Sequence, residues 1–264
     1  MSLGRELNAA AAIAARDVLR FFRDWKNNVG MSIFFPVVFL GLFSSTIGQN
    51  LGGGLGYDFM QFALLGMVVS LVLMFTAMSV TTLVEEKETG FTQEVFVAPV
   101  SRYSIMIGKM VGGSISSLLV LACTIIVAVV IGIQISLEGV GLIMLVIPAV
   151  FLLAGAIGIL ISGICNSSPK AVNQATVMIM FPQMFFSGAI IPIGNSTGLL
   201  GVLAHLMPAT YAVDLLRGVF YWGTPTYNQV VLYSPLVDLA VIVGMSIAFL
   251  LVGTYYFARS ERSR

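Results

Sequence analysis

Charge is confined to a few short runs of this chain, and the stretches between them are long. Windows free of Asp, Glu, Lys and Arg cover residues 27–57, 59–84, 110–137, 139–169, 171–213, 218–237 and 239–258. A helix needs about 20 apolar residues to cross a bilayer, and these windows supply them repeatedly. Only 9% of the residues are charged and 58% are hydrophobic, whereas a soluble domain carries about 25% charge. The solvent this chain is written for is lipid.

The windows predict an all-α, polytopic membrane protein forming a single transmembrane domain over residues 1–264. Six spans are expected near 31–49, 59–83, 104–133, 140–164, 171–192 and 234–257. The stretch 193–233 holds Gly194, Gly198, Gly201, Pro208, Gly218, Gly223 and Pro225, with Asp214 and Arg217 in its middle. It reads as two short helices, about 197–206 and 209–221, broken at Pro208 by its missing N–H, with Ser196 as N-cap of the first. Irregular backbone at membrane depth must be shielded by protein, so this piece forms an outer re-entrant hairpin or lies on the surface. With six spans, both termini share a side with the 84–109 loop and the Asn166–Lys170 turn. That side holds Arg5, Arg16, Arg20, Arg23, Lys26, Lys87, Arg102, Lys109, Lys170, Arg259, Arg262 and Arg264, and the other holds Arg217 alone. Lys and Arg mark the cytoplasmic side, so both termini are expected to be cytoplasmic in a multi-pass protein of the cytoplasmic membrane.

Residues 1–26 are too long and too mixed in charge for a cleavable signal. Leu7, Ala11, Ala14, Val18, Phe21, Phe22 and Trp25 fall on one helical face, with Arg5, Arg16, Arg20 and Arg23 opposite and Glu6, Asp17 and Asp24 beside them, facing the cytoplasm. That pattern predicts an amphipathic interfacial helix over about 1–28, lying in the headgroup boundary. Its charged face either only anchors the chain or also docks a cytoplasmic protein.

Several function classes fall away on composition. A net charge of +1 points to no nucleic-acid partner. Cys123 and Cys165 make neither a disulfide framework nor a metal cluster. The single histidine, His205, stands outside any HExxH, GxSxG or CxxC pattern. Tyr57–Asp58 resembles one half of an intramembrane aspartyl site, without a second membrane-embedded aspartate. Ion-coupled carriers keep costly ionisable groups inside the bilayer for function. Here every Asp and Glu maps to a loop, a span end or a surface helix, with Asp58, Glu138 and Asp238 near the outer boundary. No proton or sodium relay is visible, so energy must enter elsewhere.

The entry point is the loop VEEKETGFTQEVFVAPVSRYSIMIGK, residues 84–109. It holds seven of the chain's 25 charged residues (12 acidic and 13 basic): Glu85, Glu86, Lys87, Glu88, Glu94, Arg102 and Lys109. The second span runs on through Glu85–Thr89 to Gly90, suited to a left-handed helix end. A short helix over Thr92–Ala98 is expected, with Thr92 as N-cap, Glu94 in its first turn and Pro99 ending it. Ser101 caps the entry to the third span. The short helix presents Phe91, Val95 and Phe96, which water-facing loops rarely show without a partner; the pattern alone also fits a solvated, membrane-hugging connector.

The run EEKETGFTQEVFVAPVSRYSIMIGK resembles the E-(R/K)-E-x-G-T-x-(E/Q)-x-(L/F)-x-(V/A)-x-P-(V/L)-S-R-x-x-(I/L)-x-x-G-K stretch of ABC transporter type-2 permeases. FPQMFFSGAIIP and LMPATYAVDLLRGVF are similar to that family's second signature. The match covers the chain in order, and Phe91 departs from it where Thr is usual, although Thr92 follows at once. Among subfamilies the chain is most similar to daunorubicin-resistance-type drug and lipid exporters, with polysaccharide exporters the near rival. The resemblance implies a transport subunit, not an enzyme. Gly108–Lys109 lacks the rest of a GxxxxGK[ST] loop, so ATP and Mg belong to a separate P-loop ATPase and this chain holds no cofactor. It further implies two ATPase copies, a second permease copy in a homodimer or heterodimer, and lipid as surroundings. On this reading Glu85, Glu86, Glu88, Gly90, Phe91, Thr92, Glu94, Val95, Phe96, Pro99 and Arg102 form the ATPase-coupling segment. Arg16, Arg20 and Arg23 offer a second contact, and Phe185, Phe186 and Ser187 line the path, with ordinary helix packing as their alternative role. The cargo would be a hydrophobic or amphipathic drug, lipid or glycolipid. A membrane-assembly protein without transport is the competing class.

Single cysteines test the topology. An impermeant thiol reagent added outside sealed cells should label Asn50→Cys, Gly139→Cys and Thr226→Cys and leave Thr89→Cys, Ser168→Cys and Ser263→Cys untouched. Labelling of Ser168→Cys from outside would overturn the six-span arrangement.

Overall fold

The computed structural model describes residues 3–44, 56–88, 102–165, 168–193 and 198–262, and every regular element among them is helical. Helix α1 (Leu3–Arg23) is built on an alanine-rich run of strong helix formers, with Glu6 in its first turn and Arg20 and Arg23 in its last, as the helix dipole favours. The chain breaks at Asp24 and continues as α2 (Trp25–Pro36). Pro36 has no N–H to offer the preceding turn, and the backbone past it widens into a π-helical segment, Val37–Ser44. Helix α3 (Phe59–Glu88) starts where the Asp58 carboxylate accepts from the Met60 N–H at 2.9 Å. Helix α4 (Arg102–Ile131) stops at Gly132, whose φ of 98° lets the Ile133 N–H reach back to the Ala128 carbonyl at 2.9 Å.

Ser136 caps α5 (Leu137–Ile164) by accepting from the Gly139 N–H at 3.0 Å, and Ser168 caps α6 (Pro169–Phe186) through the Ala171 N–H at 3.2 Å. Two short helices follow, α7 (Leu199–Leu206) and α8 (Pro208–Phe220). They part at Met207, held extended (ψ 121°) because the residue before a proline is excluded from the helical region. The expected N-cap Ser196 lies outside the described residues; Gly198 occupies the cap position of α7. A single turn, α9 (Tyr227–Val230), leads to α10 (Pro235–Arg262).

Four segments are long and apolar enough to cross a bilayer: Phe59–Glu86, Ser104–Ile131, Leu137–Ile164 and Tyr227–Phe257. They cover the second, third, fourth and sixth expected spans. The first and fifth are not matched by such a helix among the described residues. Asn28–Gly41 is apolar but short, and the remainder of 31–49 is only partly described. Helix α6 has 18 residues, a rise of about 27 Å against a hydrocarbon core of roughly 30 Å, and it carries Lys170, Asn173, Gln174 and Gln183.

Helix α3 is the centre of the bundle, packed by α4, α5, α6 and α8. In its most apolar stretch 78% of the residues are buried, against 22% in the Tyr227–Phe257 segment, which faces outward. Helix α10 lies along α5, and the two meet backbone to backbone: a methyl group on Gly163 would run into the Gly253 carbonyl. Small residues at such crossings let helices gain van der Waals contact where lipid offers no hydrophobic drive.

The same device sets α1 on α4, with a result the amphipathic reading did not foresee. Gly108 and Gly112 of α4 face Ala10, Ile13, Ala14 and Asp17. Ala14, expected in the headgroup boundary, is therefore buried against protein, while Leu7 and Phe22 stay exposed. Asp17 is buried too. A helix with small residues at three- and four-residue steps packs on a neighbour by that stripe, whatever its hydrophobic face.

Gly163→Val should separate α5 from α10 and cost roughly 1–3 kcal/mol, the usual range for overpacking. Gly244→Val, where a side chain meets open space, carries the same helix-propensity cost and serves as control. Equal melting temperatures for the two variants in detergent would contradict the close crossing.

Candidate functional site

The C-terminus of α3 and the N-terminus of α4 bracket the charged loop, and their charged side chains converge on α1. The loop itself, with Gly90, Phe91, Thr92, Glu94, Val95, Phe96 and Pro99, lies outside the described residues, as do the expected Thr92–Ala98 helix and the Ser101 cap. Glu88 ends α3 and Arg102 opens α4. The described part of the site is the base on which the loop stands.

At its centre is Glu86, buried with 6% of its surface exposed. The Lys109 ammonium of α4, itself 1% exposed, donates to Glu86 Oε1 at 2.7 Å and to Thr82 Oγ1 at 2.9 Å. Arg16 Nη2 of α1 donates to both Glu86 oxygens at 2.8 and 2.7 Å, and Arg20 Nη1 reaches Oε1 at 3.1 Å. Asp17 completes the group. It accepts from Arg16 at 2.8 Å, and its Oδ2 pairs with the Lys109 ammonium at 3.0 Å, close enough for attraction but without hydrogen-bond alignment. Arg16 and Arg20 share a face of α1 four residues apart, as Thr82 and Glu86 do on α3, so each helix presents a pair to the same point. Burial draws the Arg16 guanidinium down, but the hydrogen bonds to Asp17 and Glu86 outweigh it and hold its pKa above the ordinary value.

Around this knot the other elements are tied in. Glu85 accepts from Asn173 Nδ2 of α6 at 2.9 Å, and Ser104 donates to Glu6, linking α4 to the start of α1. A cavity of about 380 Å³ opens beside the cluster, lined by Asp17, Arg20, Asp24, Asn28, Thr82, Glu85 and Asn173 among others. The cluster's chemistry is charge pairing, which fixes three helices at the root of a loop.

Of the residues expected to meet a partner, the structure brings Glu85, Glu86, Arg16 and Arg20 together and turns Glu86 inward; Arg23 is exposed at the end of α1. Asp17, Thr82 and Lys109 were missed. In the sequence Lys109 stands among the cytoplasmic cations and the charges of the loop, and the Gly108–Gly112 spacing beside it marks a face made for close packing.

At the opposite end of the bundle Phe185 packs against Phe39 and Phe181, with ring centroids 6.4 and 5.2 Å apart, and Ser187 is buried. Gly188, at φ 79°, turns the chain out of α6. Its carbonyl and those of Ala189 and Phe62 accept from the buried Arg217 guanidinium at 3.0–3.1 Å, which also lies 3.4 Å from the centroid of the Phe62 ring.

Removing Glu86 leaves Lys109 with Asp17 alone, a carboxylate it shares with Arg16. Glu86→Ala should cost on the order of 3–5 kcal/mol, the range for breaking one side of a buried pair, and should raise amide exchange along α1. Glu86→Ala with Lys109→Ala should cost less than the sum of the single changes. Strict additivity would show that the two side chains do not interact.

The ABC-2 type transporter family profile matches residues 8–221, a span that includes the knot, the loop and Arg217. The inner membrane transport permease YadH of Escherichia coli (strain K12) is 24% identical over 247 residues, 92% of this chain and 92% of its own. The "Probable doxorubicin resistance ABC transporter permease protein DrrC" of Mycobacterium tuberculosis (strain CDC 1551 / Oshkosh) is 22% identical over 237 residues, 85% of this chain and 83% of its own. ABC transporter G family member 20 of Dictyostelium discoideum is 24% identical over 201 residues, 75% of this chain and 27% of that longer one. Apolar helices long enough to span, a braced charged loop and a family match over most of the length agree: the chain is a multi-pass membrane protein and belongs to the ABC-2 type transporter family.

Proposed function

We propose that this chain is the permease subunit of an ATP-driven exporter and that ATP hydrolysis takes place on a separate P-loop ATPase. The observation that carries this reading is the Glu86-centred knot. A loop that only connected two spans would not require three helices to be clamped by buried charge at its root, because buried ions cost several kcal/mol each before pairing. A loop that receives force does require it, since force on a loosely held loop is dissipated locally. In this arrangement Phe91, Val95 and Phe96 fill a groove of the ATPase. Glu88, Arg102 and the exposed Arg23 set encounter and register at its rim. Glu86 acts from inside, with Arg16 half-buried and Arg20 at the surface beside it, transmitting the motion to α1, α3 and α4.

The unit pairs two permease copies, identical or not, with two ATPase copies. Six spans, with α7 and α8 as an outer re-entrant piece, place both termini in the cytoplasm. Closure of the ATPases moves the paired loops and switches the path from inward to outward access, with Phe185, Phe186 and Ser187 on the path. The apolar bundle and the drug-resistance name of one relative favour a hydrophobic or amphipathic cargo. A polysaccharide or glycolipid exporter is the second reading, for which Asp24, Asn28 and Asn173 in the cavity beside the knot offer hydrogen-bonding groups.

Replacing Val95 and Phe96 together by Asp should abolish export and weaken ATPase co-purification while leaving membrane insertion and dimerisation normal. Normal export with the ATPase still attached would reduce the loop to a connector and remove the basis of this mechanism.

A further inference from the structure

The cavity of about 380 Å³ beside the knot has spent most of its hydrogen-bond donors within the protein and kept its acceptors. The hydroxyls of Thr82, Ser116 and Ser117 each donate to a carbonyl of their own helix at 2.7–3.0 Å. Asn28 gives its amide N–H to the Phe21 carbonyl at 2.8 Å, and Asn173 gives its own to Glu85 Oε1 at 2.9 Å. Both partners can only accept, so in each amide the nitrogen is committed and the oxygen is left over.

The charges of the lining are matched unevenly. Asp17 is neutralised by Arg16 and Lys109. Asp24 stands at the break between α1 and α2, where its side chain makes no capping bond. Neither Asp24 nor Glu85 meets a cation among the described residues. Arg20, one helical turn before Asp24, spends Nη1 on Glu86 at 3.1 Å and keeps its other N–H groups free among the described residues. One guanidinium with donors to spare thus stands beside two unmatched acids. Deeper in, the lining turns apolar through Met78 and Phe75, the latter about 15 Å from Glu85 along α3.

We propose that this cavity seats the head group of a phospholipid bearing a primary amine, drawn from the leaflet at the knot end of the bundle. An ammonium offers three donors and no acceptor, the complement of the free lone pairs on Asp24, Glu85, Asn28 and Asn173. The phosphate next to it takes the free N–H groups of Arg20, whose planar fork suits phosphate geometry. The first methylenes of the lipid lie on Phe21, Met78 and Phe75. An anion without the ammonium finds one cation and two repelling acids. The seated lipid ties the α1–α2 break to Asn173 of α6, so the hold on α1 depends on the composition of the leaflet. The site rests on the exporter reading only for which leaflet this is, and lipid retention is measured without ATPase or export.

Native mass spectra of the full-length chain, released from nanodiscs of mixed phosphatidylethanolamine, phosphatidylcholine and phosphatidylglycerol, read the preference directly. The first two lipids carry the same charges and differ in their N–H donors. The unaltered chain should therefore retain phosphatidylethanolamine and hold phosphatidylcholine more weakly by about tenfold, the loss of one charge-assisted hydrogen bond. Phosphatidylglycerol, which lacks the ammonium, should be held no better than phosphatidylcholine. Asp24→Asn and Glu85→Gln should each lower the retention of phosphatidylethanolamine by about tenfold. Glu85→Gln keeps the oxygen that accepts from Asn173, so the helices stay joined. Glu138→Gln, in the cavity at the other end of the bundle, should change nothing. Equal retention of phosphatidylethanolamine and phosphatidylcholine by the unaltered chain, or a preference that survives both acidic substitutions, would overturn the proposal. So would equally tight binding of soluble phosphoethanolamine, which would make the site one for a free metabolite.

Discussion

A carboxylate taken out of water must find its counter-charge within a few ångströms, because the interior cannot solvate it. Glu86 meets that demand with Lys109 at 2.7 Å, Arg16 at 2.7 Å and Arg20 at 3.1 Å, and those three cations come from two other helices. The position of α1 follows from this. Its exposed apolar residues could ride in the headgroup boundary at many angles, but only one angle delivers Arg16 and Asp17 to Glu86 and Lys109 while Ala10 and Ala14 seat on Gly108 and Gly112. An apolar substitute of similar volume can hold helices as firmly. It would not select a single register in the same way.

Helix α3 joins this knot to a second one. Near its start the Phe62 carbonyl and ring receive Arg217, and near its end Thr82 and Glu86 receive Lys109. At 1.5 Å per residue the two contacts stand about 36 Å apart, the thickness of a bilayer with part of its headgroups. Between them the helix is packed by Leu64, Val68, Leu71, Val72 and Ala77, all nearly inaccessible. A centrally buried rod pinned by charge at both ends is suited to moving as a unit, because close-packed interiors have low compressibility and transmit strain.

The knot at Arg217 depends on glycine for close approach. Gly188 at the far end adopts φ 79° and exposes the carbonyls of the turn to Arg217. Gly66 of α3 has the Ala189 carbonyl against its backbone, where any side chain would collide. A cation in lipid surroundings can be satisfied by dipoles in place of an anion, provided the backbone comes close enough to offer them.

Local chemistry made much of the fold legible from residues alone. Charge-free windows mark α3, α4, α5 and α10 because length and apolarity belong to the segment itself. The split between α7 and α8 could be read at Pro208 because a proline restricts its own neighbour. The loop at 84–109 stood out for its charge, and the family signature lay in the order of its residues. What the sequence could not determine is which side of each helix meets which other helix. Asp17 read as part of a solvated charged face and is buried; Asp238 read as an outer boundary residue and is inaccessible; Glu86 read as facing a partner and points inward. Helix α6 reads as a span, and its 18 residues also carry polar groups that Glu85 and the backbone of α8 take up, through Asn173 and Gln183. Composition decided that the chain lives in lipid, since the cost of charge there is paid residue by residue. Only the tertiary structure decided where its few charges are neutralised, since pairing depends on distances between helices that no single segment contains.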